Sequence, residues 1–221
     1  MERKQILCYG DSNTWGFVPG TGMRQPEDVR WTGVCQRLLG DGYRIIENGL
    51  NGRTTVLDDR FNDYLNGKKS LGYALISQKP LDLVVLMLGS NDLKYVTALS
   101  AATGADELVR MLLNANGIYR TSQPIFPNGP KVLLVAPPLI APEITTLFPD
   151  SSLAGGAEES KHFARRYANV AKNRGVHFLD SALYTEPSLK DCVHITAESH
   201  ARLGAAIAQK IKEIFSENAD E

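Results

Sequence analysis

The stretch Ile6-Leu7-Cys8-Tyr9-Gly10-Asp11-Ser12-Asn13-Thr14 decides how this chain is read. Four apolar residues, Ile6 to Tyr9, suit a parallel strand buried on both faces. Gly10 lets the backbone turn sharply where a Cβ would clash. Asp11, Ser12, Asn13 and Thr14 all favour an N-cap position, so a helical turn is expected to begin here. A hydroxyl at the carboxyl end of a central strand suits a nucleophile, because backbone N–H groups beside it receive negative charge. Ser12 as a mere helix cap explains the stretch equally well, and the rest of the chain has to separate the two readings.

Beyond this stretch, short apolar runs alternate with amphipathic ones. Strands are expected at residues 43–47, 83–88, 132–136 and 176–179. The run at 83–88 is the most apolar and is placed centrally. Between the strands, Trp31, Val34, Cys35, Leu38 and Leu39 share a helical stripe. A helix is expected near 70–78. Ala101, Ala105, Leu108, Val109, Leu112 and Leu113 line another, and Phe163, Tyr167, Val170 and Ala171 a fourth, with Gly175 as its C′ residue. The last helix starts near Thr196 and buries Leu203, Ile207, Ile211 and Ile214. Residues 114–130 and 139–156 read as insertions, the first as an oligomer contact and the second as a cover over the crevice.

Five strands alternating with helices imply an α/β three-layer sandwich with right-handed crossovers. The flavodoxin-like order 2-1-3-4-5 puts a switch point between strands one and three, where ligands bind outside the carboxyl ends. Those two strands end in Gly10-Asp11-Ser12-Asn13 and Gly89-Ser90-Asn91-Asp92. The polar run from Asn48 to Thr55 follows strand two, so three polar clusters converge on one crevice.

The 221 residues suit a single domain, expected over 1–216 with a polar tail at 217–221. Hydrophobic residues make up 43% and charged residues 22%, the balance of a soluble globular protein. A formal charge of −1 gives no general attraction to nucleic acid or anionic membrane. The charged start and the lack of a long apolar run predict neither a signal peptide nor a membrane span. Cys8, Cys35 and Cys192 lie far apart and in odd number, which predicts reduced thiols in a cytoplasmic protein and no CxxC metal site. No HExxH, P-loop or complete GxGxxG is present, so no cofactor or metal is expected. GxSxG is absent too, which argues against an α/β-hydrolase elbow.

Asp191-Cys192-Val193-His194 precedes the last helix, in the loop after strand five, which opens at the same edge of the sheet. An aspartate and a histidine three apart can share a turn, the carboxylate orienting the imidazole. Alone, such a pair is ordinary surface; beside the crevice it offers a general base for Ser12. Asp180 is the other acid near enough to serve. His162 and His200 read as surface or edge residues, His177 as structural, and Cys192 as a small buried thiol.

Gly10-Asp11-Ser12, Gly52, Gly89-x-Asn91 and Asp191-x-x-His194, in this order, resemble the four blocks of the SGNH (GDSL-type) hydrolases. The runs at 6–16 and 29–33 are similar to the bacterial arylesterase/acyltransferase branch. The resemblance implies Ser12 as nucleophile, His194 as base and Asp191 as its partner. It also implies an oxyanion hole from the Ser12 N–H, the Gly52 N–H and the Asn91 amide. Gly52 as a loop glycine and Asn91 as a helix cap stand as the alternatives. Asn13 departs from the leucine often found there and is expected to shape the acyl pocket. Asp11, Trp15, Arg53 and Lys94 are further candidates for the pocket wall, with a salt bridge or core packing explaining Trp15, Arg53 and Lys94 equally well. The implied activity is hydrolysis of short-chain aryl or acetyl esters, or acyl transfer to alcohols or peroxide, by a homo-oligomer. A carbohydrate acetylesterase of this fold and a non-catalytic flavodoxin-like module are the competing readings.

Overall fold

The computed structural model describes residues 3–59 and 62–216, so the tail expected at 217–221 lies outside the described residues. Strands β1 (Lys4–Gly10), β2 (Tyr43–Gly49), β3 (Leu83–Met87), β4 (Val132–Ala136) and β5 (His177–Asp180) form one parallel sheet. Its order is β2-β1-β3-β4-β5, with β3 in the centre as its apolar sequence demands. The register pairs Ile6 with Ile45 on one side and with Leu83 on the other. The helices are α1 (Ser12–Trp15), α2 (Trp31–Leu39), α3 (Gly67–Gln78), α4 (Ala98–Leu113), α5 (Ala115–Ile118), α6 (Ile144–Leu147), α7 (Gly156–Ser160), α8 (Phe163–Arg174) and α9 (Ala197–Ser216).

Alternating side chains along each strand build two separate cores. Leu7, Tyr9, Val84, Leu86 and Leu134 pack with Leu75 of α3, Leu108 of α4 and Tyr167 of α8. Ile6, Cys8, Val85, Leu133 and Val135 pack with Trp31 and Cys35 of α2 and with Ile207 and Ile211 of α9. This double cover is why the strands read as unbroken apolar runs. Truncating a leucine such as Leu86 in such a layer costs about 2–5 kcal/mol, because the cavity closes only partly.

The stripes on α4, α8 and α9 face inward as their spacing predicts, whereas Leu38 of α2 stays 44% exposed. Helix α3 starts three residues before the apolar pattern does, because Asn66 caps it by accepting from the Lys69 N–H at 3.3 Å. The segment 114–130 packs into the molecule's own core. Ile125 and Phe126 are buried there, and the Ile125 carbonyl accepts from the Leu81 N–H at 2.7 Å. His200, expected near the surface, is fully buried on α9. Its Nδ1 accepts the Trp31 N–H at 3.3 Å, and burial pushes its pKa down to about 4. The Leu203–Ile207–Ile211 stripe turns that side of α9 onto α2, and His200 is carried inward with it.

Candidate active site

Three strand ends supply the floor of one cleft. At the first, Asp11 caps α1 by accepting the Asn13 N–H at 3.0 Å, and Ser12 opens the turn. A Cβ at Gly10 would lie 2.9 Å from the Met87 carbonyl and collide with the Thr14 side chain, so only glycine lets this turn fold back on β3. At the second, Gly52 adopts φ +83°, a left-handed conformation open to glycine. At the third, the 3-10 turn Ser90–Lys94 carries Asn91. Asp92 ties the second and third together, accepting from the Thr55 N–H at 2.9 Å and from the Thr55 hydroxyl.

The opposite wall comes from the loop after β5. Cys192 takes φ 63°, unusual for a residue with a side chain, and so bends Asp191 and His194 onto a shared turn. Its N–H donates to Ser188 at 2.7 Å and its carbonyl accepts from Ala141 at 2.8 Å, which hold the bend. His194 Nδ1 lies 2.9 Å from Asp191 Oδ2, and His194 Nε2 lies 2.8 Å from Ser12 Oγ. Asp191 also accepts the His194 N–H at 3.0 Å, the Val193 N–H at 3.1 Å and the Gly20 N–H at 3.0 Å. Burial pushes the Asp191 carboxyl up, but these hydrogen bonds outweigh it and leave it below the usual carboxylate range. Hydroxyl, imidazole and carboxylate thus form one line, which can take a proton from the hydroxyl and stabilise the resulting imidazolium.

The line borders a cavity of about 410 Å³. Ser12, Gly52, Asn91, Asp191 and His194 all line it, as does Lys94. Asn91 Nδ2 donates one hydrogen to the Arg53 carbonyl at 3.1 Å, which orients the amide and leaves its second hydrogen for a ligand. Phe17, Phe148, Leu153 and Val193 add apolar walls that the sequence reading did not identify. Phe148 and Leu153 come from the segment 139–156, which opens on this side of the sheet.

Four residues expected at the pocket lie elsewhere. Asn13 is buried and turns to the far loop, its Oδ1 accepting the Ile195 N–H at 3.1 Å. Asp11 is buried beneath the turn it caps, and burial pushes its carboxyl up to about 6. Arg53 folds inward over the Tyr9 ring, donating to the Gly10 carbonyl at 2.8 Å and the Asn48 carbonyl at 2.6 Å. Trp15 packs under the Arg24 guanidinium, 5.4 Å from its ring centre. In each case a buried polar group or a large ring has found an internal partner. Asp180, the other acid considered, caps the turn Ser181–Leu183 and borders a different groove. Among the described residues, no cluster of three or more His, Cys, Asp or Glu side chains is placed to hold a metal, and no helix is long and apolar enough to cross a membrane.

A serine, a histidine and an aspartate linked at the carboxyl edge of an open parallel sheet make the constellation of a serine-type carboxylic ester hydrolase. The profile of the GDSL-like lipase/acylhydrolase family matches residues 8–202. The chain belongs to that family and has the SGNH hydrolase fold. A solved carbohydrate acetylesterase from Sinorhizobium meliloti is 40% identical, with 96% of this chain and 100% of that one covered and a TM-score of 0.88. The native aryl esterase of M. smegmatis is 38% identical, with 95% and 99% covered and a TM-score of 0.84. A lipase/acylhydrolase from Enterococcus faecalis, at 19% identity and a TM-score of 0.69, shares the fold. No curated protein matches the chain in sequence.

Proposed function

We propose that Ser12 is the nucleophile of a serine esterase acting on short-chain carboxylic esters, aryl or acetyl, through an acyl-enzyme. The observation that carries this reading is the unbroken line from Ser12 Oγ through the His194 ring to Asp191, at 2.8 and 2.9 Å. His194 Nε2 takes the hydroxyl proton as Ser12 attacks and returns it to the departing alcohol; Asp191 keeps Nδ1 protonated. The N–H groups of Ser12 and Gly52 and the Asn91 amide receive the charge that builds on the carbonyl oxygen. Losing one such donor costs about 10²–10³-fold in rate. Water then releases the acid. The walls of Phe17, Phe148, Leu153 and Val193 disfavour water, which supports transfer to alcohols or peroxide as a second outcome.

Residues 1–216 act as one domain in this reading, and the cavity size favours short acyl groups. The buried thiols of Cys8, Cys35 and Cys192 support a reducing, cytoplasmic setting. Exposed Tyr73 and Ile76 on α3, which share a groove with Asn48 of the edge strand β2, support self-association. A fluorophosphonate probe together with 4-nitrophenyl acetate tests the mechanism. Stoichiometric labelling and turnover are expected, both lost in Ser12→Ala with the circular dichroism unchanged. Turnover that survives this substitution would overturn the assignment.

A further inference from the structure

Asn91 and Lys94 stand three residues apart in the 3-10 turn Ser90–Lys94, and both line the cavity. Residues three apart eclipse in a 3-10 helix, with a rise of about 2 Å each, so the Lys94 stem leaves the turn about 6 Å beyond Asn91 on the same face. The ammonium is half-buried, and among the described residues it makes no hydrogen bond or ion pair. Asp59, Asp11 and Asp92 act on it from a distance, but each has its own partner. Asp59 accepts from the Tyr95 hydroxyl at 2.7 Å, Asp11 from the Asn13 N–H, and Asp92 from Thr55. Burial works against the charged ammonium and outweighs these carboxylates, leaving its pKa below the ordinary lysine value. Of the other polar side chains at the cavity, Ser12 and Asp191 are engaged with His194 and Ser151 with the Leu153 N–H at 3.2 Å, while Asn51, Ser90 and Asn91 are neutral, so Lys94 is the cation that faces a ligand there. A cation bordering apolar walls without a partner is costly until an anion meets it.

We propose that Lys94 selects esters bearing a carboxylate a few bonds from the scissile carbonyl. The proposal rests on Ser12 being the nucleophile and names the substrate class of that same site. A carbonyl held at Asn91 leaves the far end of a short diacid half-ester, or of a carboxylated alcohol, facing the ammonium. Lys94 is thus a specificity residue, binding the group that does not react.

Two matched pairs test it. On the acyl side, 4-nitrophenyl hemisuccinate is compared with 4-nitrophenyl butyrate; on the alcohol side, 4-acetoxybenzoate with 4-methylphenyl acetate. In one arm the anionic ester is expected to have the higher kcat/KM. That preference should fall at least tenfold in Lys94→Met, mainly through KM, and return in Lys94→Arg. A ratio unchanged in both arms would overturn the proposal, as would equal losses on the charged and neutral esters. A Lys94 effect confined to acetylated neutral sugars would replace it with hydroxyl recognition. Wild-type protein labelled at Ser12 but indifferent to charge refutes Lys94 selection alone; protein that neither turns over nor labels refutes the serine mechanism and this inference with it.

Discussion

Phe17 lies flat against the imidazole of His194, the ring centroids 4.1 Å apart and the planes 22° from parallel. The contact fixes the face of the ring that Asp191 cannot hold, since the carboxylate acts only at its edge. A stacked aromatic pair is worth about 0.5–1.5 kcal/mol, so Phe17→Ala should lower kcat/KM by about two- to tenfold. Phe17→Tyr should retain most of it. Steady-state kinetics on 4-nitrophenyl acetate measures both.

Asp191→Asn should leave the loop folded, because an amide oxygen in place of Oδ1 can still accept from the Val193 and His194 N–H groups, and only the exposed Gly20 N–H, which donates to Oδ2, loses its acceptor. The amide hydrogens, however, favour the tautomer whose Nε2 carries the proton and cannot accept from Ser12. Catalytic triads lose on the order of 10⁴-fold in kcat on this change. The expected result is a comparable fall in kcat with a melting temperature within a few degrees of wild type.

Asn13 joins the first turn to the loop that carries His194, through the Ile195 N–H. Ile195 is fully buried, so Asn13→Leu strands its N–H without a partner. An unsatisfied buried donor costs about 1–3 kcal/mol. Urea denaturation should show that loss, and kcat should fall with it as the imidazole loses its anchor. A variant with wild-type stability and rate would dismiss the link.

Acid should find a weak point at His200. Its pKa is near 4 when folded and near 6.5 when exposed, so the native state holds it neutral. The stability this contributes is complete above pH 6.5 and is lost as pH falls toward 4. About 2 kcal/mol should be gone by pH 5 and about 3 kcal/mol below pH 4. His200→Asn keeps an acceptor for the Trp31 N–H and removes the titration. Its melting temperature should drop less than that of wild type between pH 7 and pH 5.

The strands and their polar ends were legible in the sequence because both are local patterns, and the order followed once a flavodoxin-like open sheet was taken as their simplest arrangement. Apolar runs of four to six residues mark doubly covered strands, and the polar block after each run marks the edge where chemistry collects. The same logic placed Ser12 and His194 at one edge. It could not say which way a buried polar side chain turns. Asn13 and Arg53 follow strand ends just as Asn91 does, yet each found a nearer partner than the cavity. Phe17 gave no signal, since its role depends on a ring 177 positions later in the chain. His200 misled because a histidine on an amphipathic helix usually faces solvent, and the tilt of α9 on α2 is a tertiary fact.

The 2.8 Å contact between Ser12 and His194 spans 182 positions. During synthesis the chain must therefore grow by 182 residues beyond Ser12 before the imidazole that meets its hydroxyl exists. Any product of a stalled ribosome or a premature stop before residue 191 lacks both Asp191 and His194. The two halves of the site are thus joined only when the loop after β5 docks on the turn after β1.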